Sequence, residues 1–328
     1  MEKQVVVIQD LKKYFPSKQG PVKAVDGVDL RVESGEIFGF LGPNGAGKTT
    51  VLRILTTLLV QDSGDAFVAG LDVKKEPNKV RSHIGYVSQS GGVDRPATGK
   101  ENLILQGQLY GMNTAAATAR AEELIRLLDL SEFADRIVNT YSGGQRRRLD
   151  VALGLMNRPT VLFLDEPTIG LDPQNRANLW EQIKKLQQEG TTIFLTTHYL
   201  DEADALCDHI AIIDNGRIVA EGTPEELKKQ IAGECITIGI DNFEEKAPEI
   251  IPLLKKFAFM REVNQDGDHL RLYVDDGAKA ISEVLELLGK QEITLKNITL
   301  SAPSLDDVFL RKTGRSLRDL NAKEGKEK

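Results

Sequence analysis

The chain has 328 residues, room for about two domains, and its 41% apolar and 28% charged residues exclude a wholly disordered chain. Its 42 basic and 49 acidic residues leave a net charge of −7, the wrong sign for an electrostatic binder of nucleic acid. The only cysteines, Cys207 and Cys235, form no CxxC, which excludes a disulfide scaffold and a cysteine zinc site and fits a reducing cytosol.

Taken in chain order, the first ten residues lack the pattern of a secretory leader. Ile37–Leu41 is a short apolar run that ends at Gly42, and Thr49–Leu59 follows with Leu52, Leu55 and Leu59 at helical spacing. Ile84–Ser88 is a second apolar run, ending at Gln89. From Asp94 to Tyr141 the spacing is helical, which predicts a helical insertion over about 94–145. The longest uncharged stretch, Asn102–Ala119, is broken by Asn, Gln and Thr and does not suit a bilayer span. Ser142 opens a helix to Asn157 with Leu149, Ala152, Leu153 and Met156 on one stripe, stopped by Pro159. Val161–Leu164 precedes Asp165, and Ile193–Thr197 precedes His198. Continuous apolar runs alternating with helices predict an α/β core with a parallel sheet. The polar groups that follow each run then lie at the strand ends where such sheets bind ligands.

Thr223-Pro224-Glu225-Glu226 is a capping box opening a short helix to about Ile231. Past Gly233 the pattern reads strand (Cys235–Ile240), helix (Glu244–Phe257), strand (Phe259–Asn264), an Asp266-Gly267 turn, strand (His269–Val274), helix (Ala278–Lys290) and strand (Ile293–Leu300). This βαββαβ order predicts a small ferredoxin-like α+β domain with two helices on one face of an antiparallel sheet. Ile281, Val284, Leu285 and Leu288 are expected to face that sheet. Ser304 caps a last helix, Leu305–Lys312, expected to dock the domain through Val308, Phe309 and Leu310. The domains are therefore 1–231 and 233–312, followed by a basic tail, 313–328. Residues 311–328 carry +4, which suits a solvated, disordered tail or attraction to an anionic membrane.

Gly42-Pro43-Asn44-Gly45-Ala46-Gly47-Lys48-Thr49 fits G-x-x-x-x-G-K-[ST] between a predicted strand and a predicted helix. Backbone N–H groups and the helix start would cradle phosphate, Lys48 would reach the β/γ-phosphates and Thr49 would hold Mg²⁺. Asp165 could hold Mg²⁺ through water, and Glu166 could accept a proton from attacking water. Ser142-Gly143-Gly144-Gln145 is a second anion-binding helix start, either a plain N-cap or a cradle for a phosphate held by another chain. Arg146-Arg147-Arg148 fans around a helix, so a solvated or interface-facing role is expected rather than nucleic-acid binding.

On these residues the chain resembles the ATP-binding cassette (ABC) ATPases over about Glu2–Lys229. Tyr141-Ser142-Gly143-Gly144-Gln145 is similar to the family's signature loop, with Tyr141 where Leu is usual. Ile169-Gly170-Leu171-Asp172 resembles the D-loop, His198 the switch histidine and Gln89 the Q-loop glutamine. The resemblance implies a P-loop NTPase core with a helical subdomain and ATP with Mg²⁺ as cofactors. It also implies a head-to-tail dimer with a second copy or homologue. Residues 42–49 and Thr50 would bind nucleotide, with Ser142, Gly143, Gly144, Gln145 and Asp172 contributing across the dimer. Glu166, His198 and Gln89 would serve catalysis, and Thr49, Gln89 and Asp165 the metal. An aromatic would stack on adenine: Phe15 aligns best, and Tyr14 is the alternative. Pro303-Ser304-Leu305-Asp306-Asp307-Val308-Phe309-Leu310 resembles the tail motif of daunorubicin-resistance-type exporters. That branch implies an ATPase on the cytoplasmic face of the membrane, driving a separate permease for drugs, lipids or polysaccharide-like molecules. A soluble ABC ATPase of translation or cofactor assembly is the alternative.

Overall fold

The computed structural model describes residues 4–18, 20–231 and 233–317. The chain divides into two compact units, residues 1–221 and 222–328. The sequence reading put the boundary at Gly233; the helix Pro224–Lys229 instead groups with the second unit, where it packs on the helix Leu305–Thr313. The disordered tail expected over 313–328 is contradicted at its start, where Thr313 ends the helix Leu305–Thr313 and Ser316 and Leu317 are buried against Asp306; residues 318–328 lie outside the described residues.

The first unit begins β1 (Gln4–Phe15), β2 (Val22–Glu33), β3 (Ile37–Leu41), α1 (Lys48–Leu55), β4 (Ser63–Val68), β5 (Leu71–Asp72), α2 (Pro77–His83) and β6 (Ile84–Val87). Next come α3 (Gly99–Leu109), α4 (Thr114–Leu127), α5 (Gly143–Gly154) and β7 (Val161–Asp165). The unit closes with α6 (Pro173–Gln188), β8 (Thr192–Thr197), α7 (Leu200–Leu206), β9 (His209–Asp214) and β10 (Arg217–Gly222). Six strands form one sheet in the order β10-β9-β3-β8-β7-β6, whose β9-β3-β8-β7-β6 core is parallel. β3, β7 and β8 are buried along their whole length, as their unbroken apolar runs require.

A second, antiparallel sheet, β2-β1-β4-β5, was not read from the sequence. Its long strands carry register shifts, one of them at Ile8/Leu11 where Asp10 takes a positive φ of 44°. Bulges of that kind interrupt the two-residue alternation by which strands are recognised. The two sheets share one core, in which Phe38, Phe40, Phe163 and Phe194 pack with Val51 and Leu55 of α1 and with Val6, Ile8 and Val28. α1 ends at Leu55, four residues earlier than its spacing predicts: Thr57 has a positive φ of 62° and Leu58 is exposed. α5 likewise stops at Gly154 rather than Asn157. α3 and α4 form the expected helical insertion as far as Leu127; from Leu128 to Tyr141, where the spacing predicts helix, the chain runs in turns with one 3₁₀ turn at Val138–Thr140.

The second unit runs α8 (Pro224–Lys229), β11 (Glu234–Ile240), α9 (Phe243–Leu254), β12 (Met260–Asp266), β13 (His269–Val274), α10 (Gly277–Lys290), β14 (Leu295–Ser301) and α11 (Leu305–Thr313). Its sheet order is β12-β13-β11-β14, with every pair antiparallel, which is the ferredoxin-like arrangement. α9 keeps its course through Pro248 and Pro252, which both sit on its exposed face. The β12–β13 turn is Gly267-Asp268, one residue later than predicted. The helix face differs from expectation too. Ala280, Val284 and Leu288 of α10 are buried against the sheet, whereas Leu285 is 41% exposed. The α10 contact face is centred on Ala280 and Val284, which turns Leu285 outward.

Candidate functional site

The loop 42–47 leaves β3 and re-enters the fold as α1. Gly42 N–H donates to Thr197 O at 3.2 Å, which ties the loop to the end of β8. Gly47 caps α1 in the left-handed region (φ 110°) without a side-chain acceptor. A Cβ there would lie 2.2 Å from Ala24 O, so only glycine fits. Asn44 and Gly45 are exposed, Thr50 is half-buried, and Pro43 and Ala46 are buried. Ala46 O accepts from Gly216 N–H at 2.9 Å.

Lys48 is 4% exposed. Its Nζ donates to Gly42 O at 2.8 Å and Pro43 O at 3.1 Å and lies 3.3 Å from Glu166 Oε1. The register of β7 on β8 sets Asp165 beside Thr196. Asp165 Oδ1 accepts from Thr196 Oγ1 at 2.7 Å and from Thr49 Oγ1 at 3.3 Å. Glu166 is buried and holds a positive φ of 45°, a backbone state that costs roughly 1–3 kcal/mol and concentrates at functional sites. It is secured by its N–H to Thr196 O and Oγ1, both at 3.1 Å. Glu166 Oε2 accepts from Gln89 Nε2 at 3.2 Å and lies 3.1 Å from His198 Nδ1. Burial pushes the Glu166 carboxyl up, but the His198 hydrogen bond and the Lys48 charge outweigh it and hold it below the usual range. It therefore stands ionised, able to accept a proton. Lys48, Thr49, Gln89, Asp165, Glu166 and His198 thus form one contiguous polar cluster.

Ser142 to Gln145 stand at the start of α5, where Gly143 lines the same open cleft as Gln89. They form a capping box: Ser142 Oγ accepts from Gln145 N–H at 3.2 Å, and Gln145 Oε1 accepts from Ser142 N–H at 2.9 Å. Ser142 and Gly143 are exposed. Gly144 is pressed against α6, where a Cβ would sit 2.3 Å from Asn175 Oδ1. Asp172 caps α6 through Asn175 N–H at 2.9 Å. Tyr141 is buried and donates its hydroxyl to Phe133 O at 2.5 Å. This bond anchors the loop from within and accounts for an aromatic where Leu is usual.

Phe15 is 37% exposed at the end of β1. It pairs with Val22 of β2, two residues from Ala24, whose carbonyl lies against Gly47. The Tyr14 hydroxyl donates to Asp26 Oδ1 at 2.5 Å. That bond, with a second from Arg217, lowers the Asp26 carboxyl to about 2.

The middle residue of the arginine run departs from the sequence reading. Arg147 is 7% exposed, while Arg146 and Arg148 are half-buried. Arg147 donates to backbone carbonyls at both Ser88 and Asp165. Three arginines in a row carry no signal that the middle one is buried; only a fold that brings carbonyls of other segments to it does so. Thr196, the hydroxyl that holds Asp165, and Asp150, which accepts from Gly92 N–H, were missed for the same reason.

Residues 25–169 match the family model described as "ABC transporter", and residues 222–313 the model described as "ATP-binding protein DrrA1-3-like, C-terminal domain". The chain is 44% identical to the daunorubicin resistance ATP-binding protein DrrA2 of Streptomyces coeruleorubidus, over 94% of this chain and 95% of that one. It is 39% identical to the Nod factor export ATP-binding protein I of Cupriavidus metallidurans, over 96% and 99%. Among solved structures it resembles the dimeric post-hydrolysis state of the ATP-binding cassette MJ0796 bound to ADP and Pi. There the TM-score is 0.61 at 27% identity, over 66% of this chain and 98% of that one.

Proposed function

This chain belongs to the ABC transporter family as an ATP-hydrolysing subunit of an exporter, and from that premise we propose how its residues hold and cleave ATP. Lys48, the N–H groups of the 42–47 loop and the start of α1 bind the β/γ-phosphates. Phe15 stacks on the base: it is exposed beside the loop, while the Tyr14 hydroxyl is committed to Asp26. The Thr49 hydroxyl, the Asp165 carboxylate and the Gln89 amide oxygen are hard oxygen donors of the kind Mg²⁺ takes together with substrate phosphates. Bound there, Mg²⁺ would neutralise charge on the transferring phosphoryl group. Glu166 takes the proton from the attacking water. His198, 3.1 Å from it, orients the carboxylate and meets the γ-phosphate.

A second copy completes the site. Ser142 and Gly143 stand exposed at the start of α5. Each chain would therefore present them to the nucleotide on the other, with Asp172 at the interface. A separate membrane permease carries the cargo, with this subunit peripheral on its cytoplasmic side. No helix among the described residues is long and apolar enough to cross a membrane. The drug-resistance and export names of the relatives favour this reading over a non-transport ABC ATPase.

The observation that carries the proposal is the buried Glu166 carboxylate touching Lys48, Gln89 and His198 at once. Trans completion is tested by mixing Ser142→Arg and Lys48→Ala chains. Each homodimer has two damaged sites, while the heterodimer has one site with both lesions and one intact. ATPase activity should reappear on mixing. An ATP-bound monomer with full activity would refute the sandwich.

A further inference from the structure

Arg147 and Asp150 lie three residues apart on α5, so they share one face of it. That face meets the segment that carries Gln89. Arg147 donates from one terminal nitrogen to Ser88 O at 2.7 Å and from Nε to Pro167 O at 2.7 Å. Its other terminal nitrogen donates to Asp165 O at 3.0 Å and Glu166 O at 3.3 Å. Asp150 Oδ1 accepts from Gly92 N–H at 2.8 Å. One helix thus holds the Gln89 loop at both ends, at residues 88 and 92, and with the same guanidinium grips the turn that carries Glu166. These three segments are remote in sequence. The Gln89 loop also borders an open cleft of about 300 Å³, lined by Gln89, Gly92, Arg146 and Leu171 among others. With space on that side, the clamp holds the loop from the other.

We propose that Arg147 and Asp150 are positioning residues for ATP hydrolysis. They keep the Gln89 amide and the Glu166 carboxylate, 3.2 Å apart, in register. Through α5 they also connect both groups to its exposed Ser142–Gly143 end. Neither residue touches the reacting atoms. Each fixes backbone, and the backbone aims the side chains that do. The inference rests on the proposed role of Glu166.

The test uses full-length protein with kcat, KM for ATP, equilibrium binding of a fluorescent ATP analogue and thermal melting. Arg147→Ala should lower kcat on the order of 10²-fold, the scale of a misplacement of about 1 Å, with KM and nucleotide affinity nearly unchanged. Guanidinium ion at sub-denaturing concentration should restore part of the lost rate and saturate. Arg147→Lys should recover little, since an ammonium cannot span three segments. Asp150→Ala should lower kcat several-fold, whereas Asp150→Asn, which keeps an oxygen for Gly92 N–H, should stay near the parent. Unchanged kcat in both folded alanine variants would overturn the inference. So would losses that follow the unfolded fraction and respond to neither Asn nor guanidinium. If Arg147→Ala does not fold, the Asp150 pair decides: equal effects of Ala and Asn overturn the inference. Turnover persisting in Glu166→Gln would dismiss the role of Glu166 separately, leaving the Arg147 and Asp150 rates readable.

Discussion

Among the described residues two pairs of consecutive acids are buried, and they stand in different surroundings. Asp165 ends β7 and Glu166 follows it in the first unit; Asp306-Asp307 lie in the first turn of α11 in the second. Glu166 is met by the ends of three side chains, from Lys48, Gln89 and His198. Asp307 is met by Arg271 at 2.7 Å, the Tyr273 hydroxyl at 2.6 Å, and Ser304 N–H and Oγ at 2.7 and 2.6 Å. Asp306 takes Arg271 at 2.8 Å and Leu317 N–H at 3.0 Å. Both Glu166 and Asp307 are held below the usual carboxylate range although burial pushes them the other way. The difference lies in where their partners come from. Around Glu166 they are a lysine of the first turn of α1 and two side chains just past the ends of β6 and β8, beside the phosphate loop. Around Asp307 they are an arginine and a tyrosine on β13 and the cap of the acid's own helix. Buried charge alone therefore does not single out the proposed base; its place beside the phosphate loop does.

The largest effect should come from the first pair. Glu166→Gln keeps the shape and loses the base, so hydrolysis should fall by about 10²–10⁴-fold while ATP still binds. Size-exclusion chromatography with ATP should then show an accumulated dimer. Near-parental turnover would make Glu166 as structural as Asp307 and erase the contrast.

The second pair should fail in stability rather than rate. Arg271 is flanked by Asp266 at 2.5 Å as well as Asp306 and Asp307. Arg271→Met would leave buried carboxylates unpaired, a loss of about 3–5 kcal/mol when one partner of a buried pair is removed. Denaturant melting should report that loss in the second unit, with ATP affinity intact. A variant that melts like the parent would mean the network contributes nothing net.

Acid should separate the pairs more gently. Because the folded Asp307 carboxyl is lowered, its contribution is fully present above the ordinary aspartate value, near pH 4. It is lost as pH falls through its lower folded value. Asp307→Asn should flatten the acid side of the melting profile of the second unit, and a profile as steep as the parent's would assign the slope to other carboxylates.

The same contrast shows what sequence can reveal. The phosphate loop, Asp165-Glu166 and the capping box at Ser142 were legible because each is a local pattern whose chemistry is fixed by neighbours within a few residues. The βαββαβ unit was legible because alternation, a glycine turn and caps agree. Leu285 was not, because four apolar residues at helical spacing define a stripe wider than the one the sheet covers. The β2-β1-β4-β5 sheet was hidden by its bulges. Arg147 and Thr196 were hidden because their partners come from segments that only the folded chain brings together. The LDD of α11 reads as a capped helix from sequence and is one, but that Arg271 and Tyr273 of β13 consume its acids depends on register.

The smallest effects give the closest comparison, because each unit has the same serine capping box. Ser142 caps α5 and Ser304 caps α11, each with its partner three residues on. Removing either hydroxyl leaves first-turn N–H groups of a helix less well satisfied, at a cost of roughly 1 kcal/mol. Ser142→Ala and Ser304→Ala should therefore shift thermal melting by similar small amounts. Activity should part them. The Ser142 box is exposed and is proposed to meet the γ-phosphate of the partner's nucleotide, so its loss should lower ATPase rate with little loss of stability. The Ser304 hydroxyl is committed to Asp307 at 2.6 Å, so its loss should leave the rate alone. Equal ATPase rates in the two variants would reduce the Ser142 box to a plain helix cap and remove the evidence that α5 begins at a shared site.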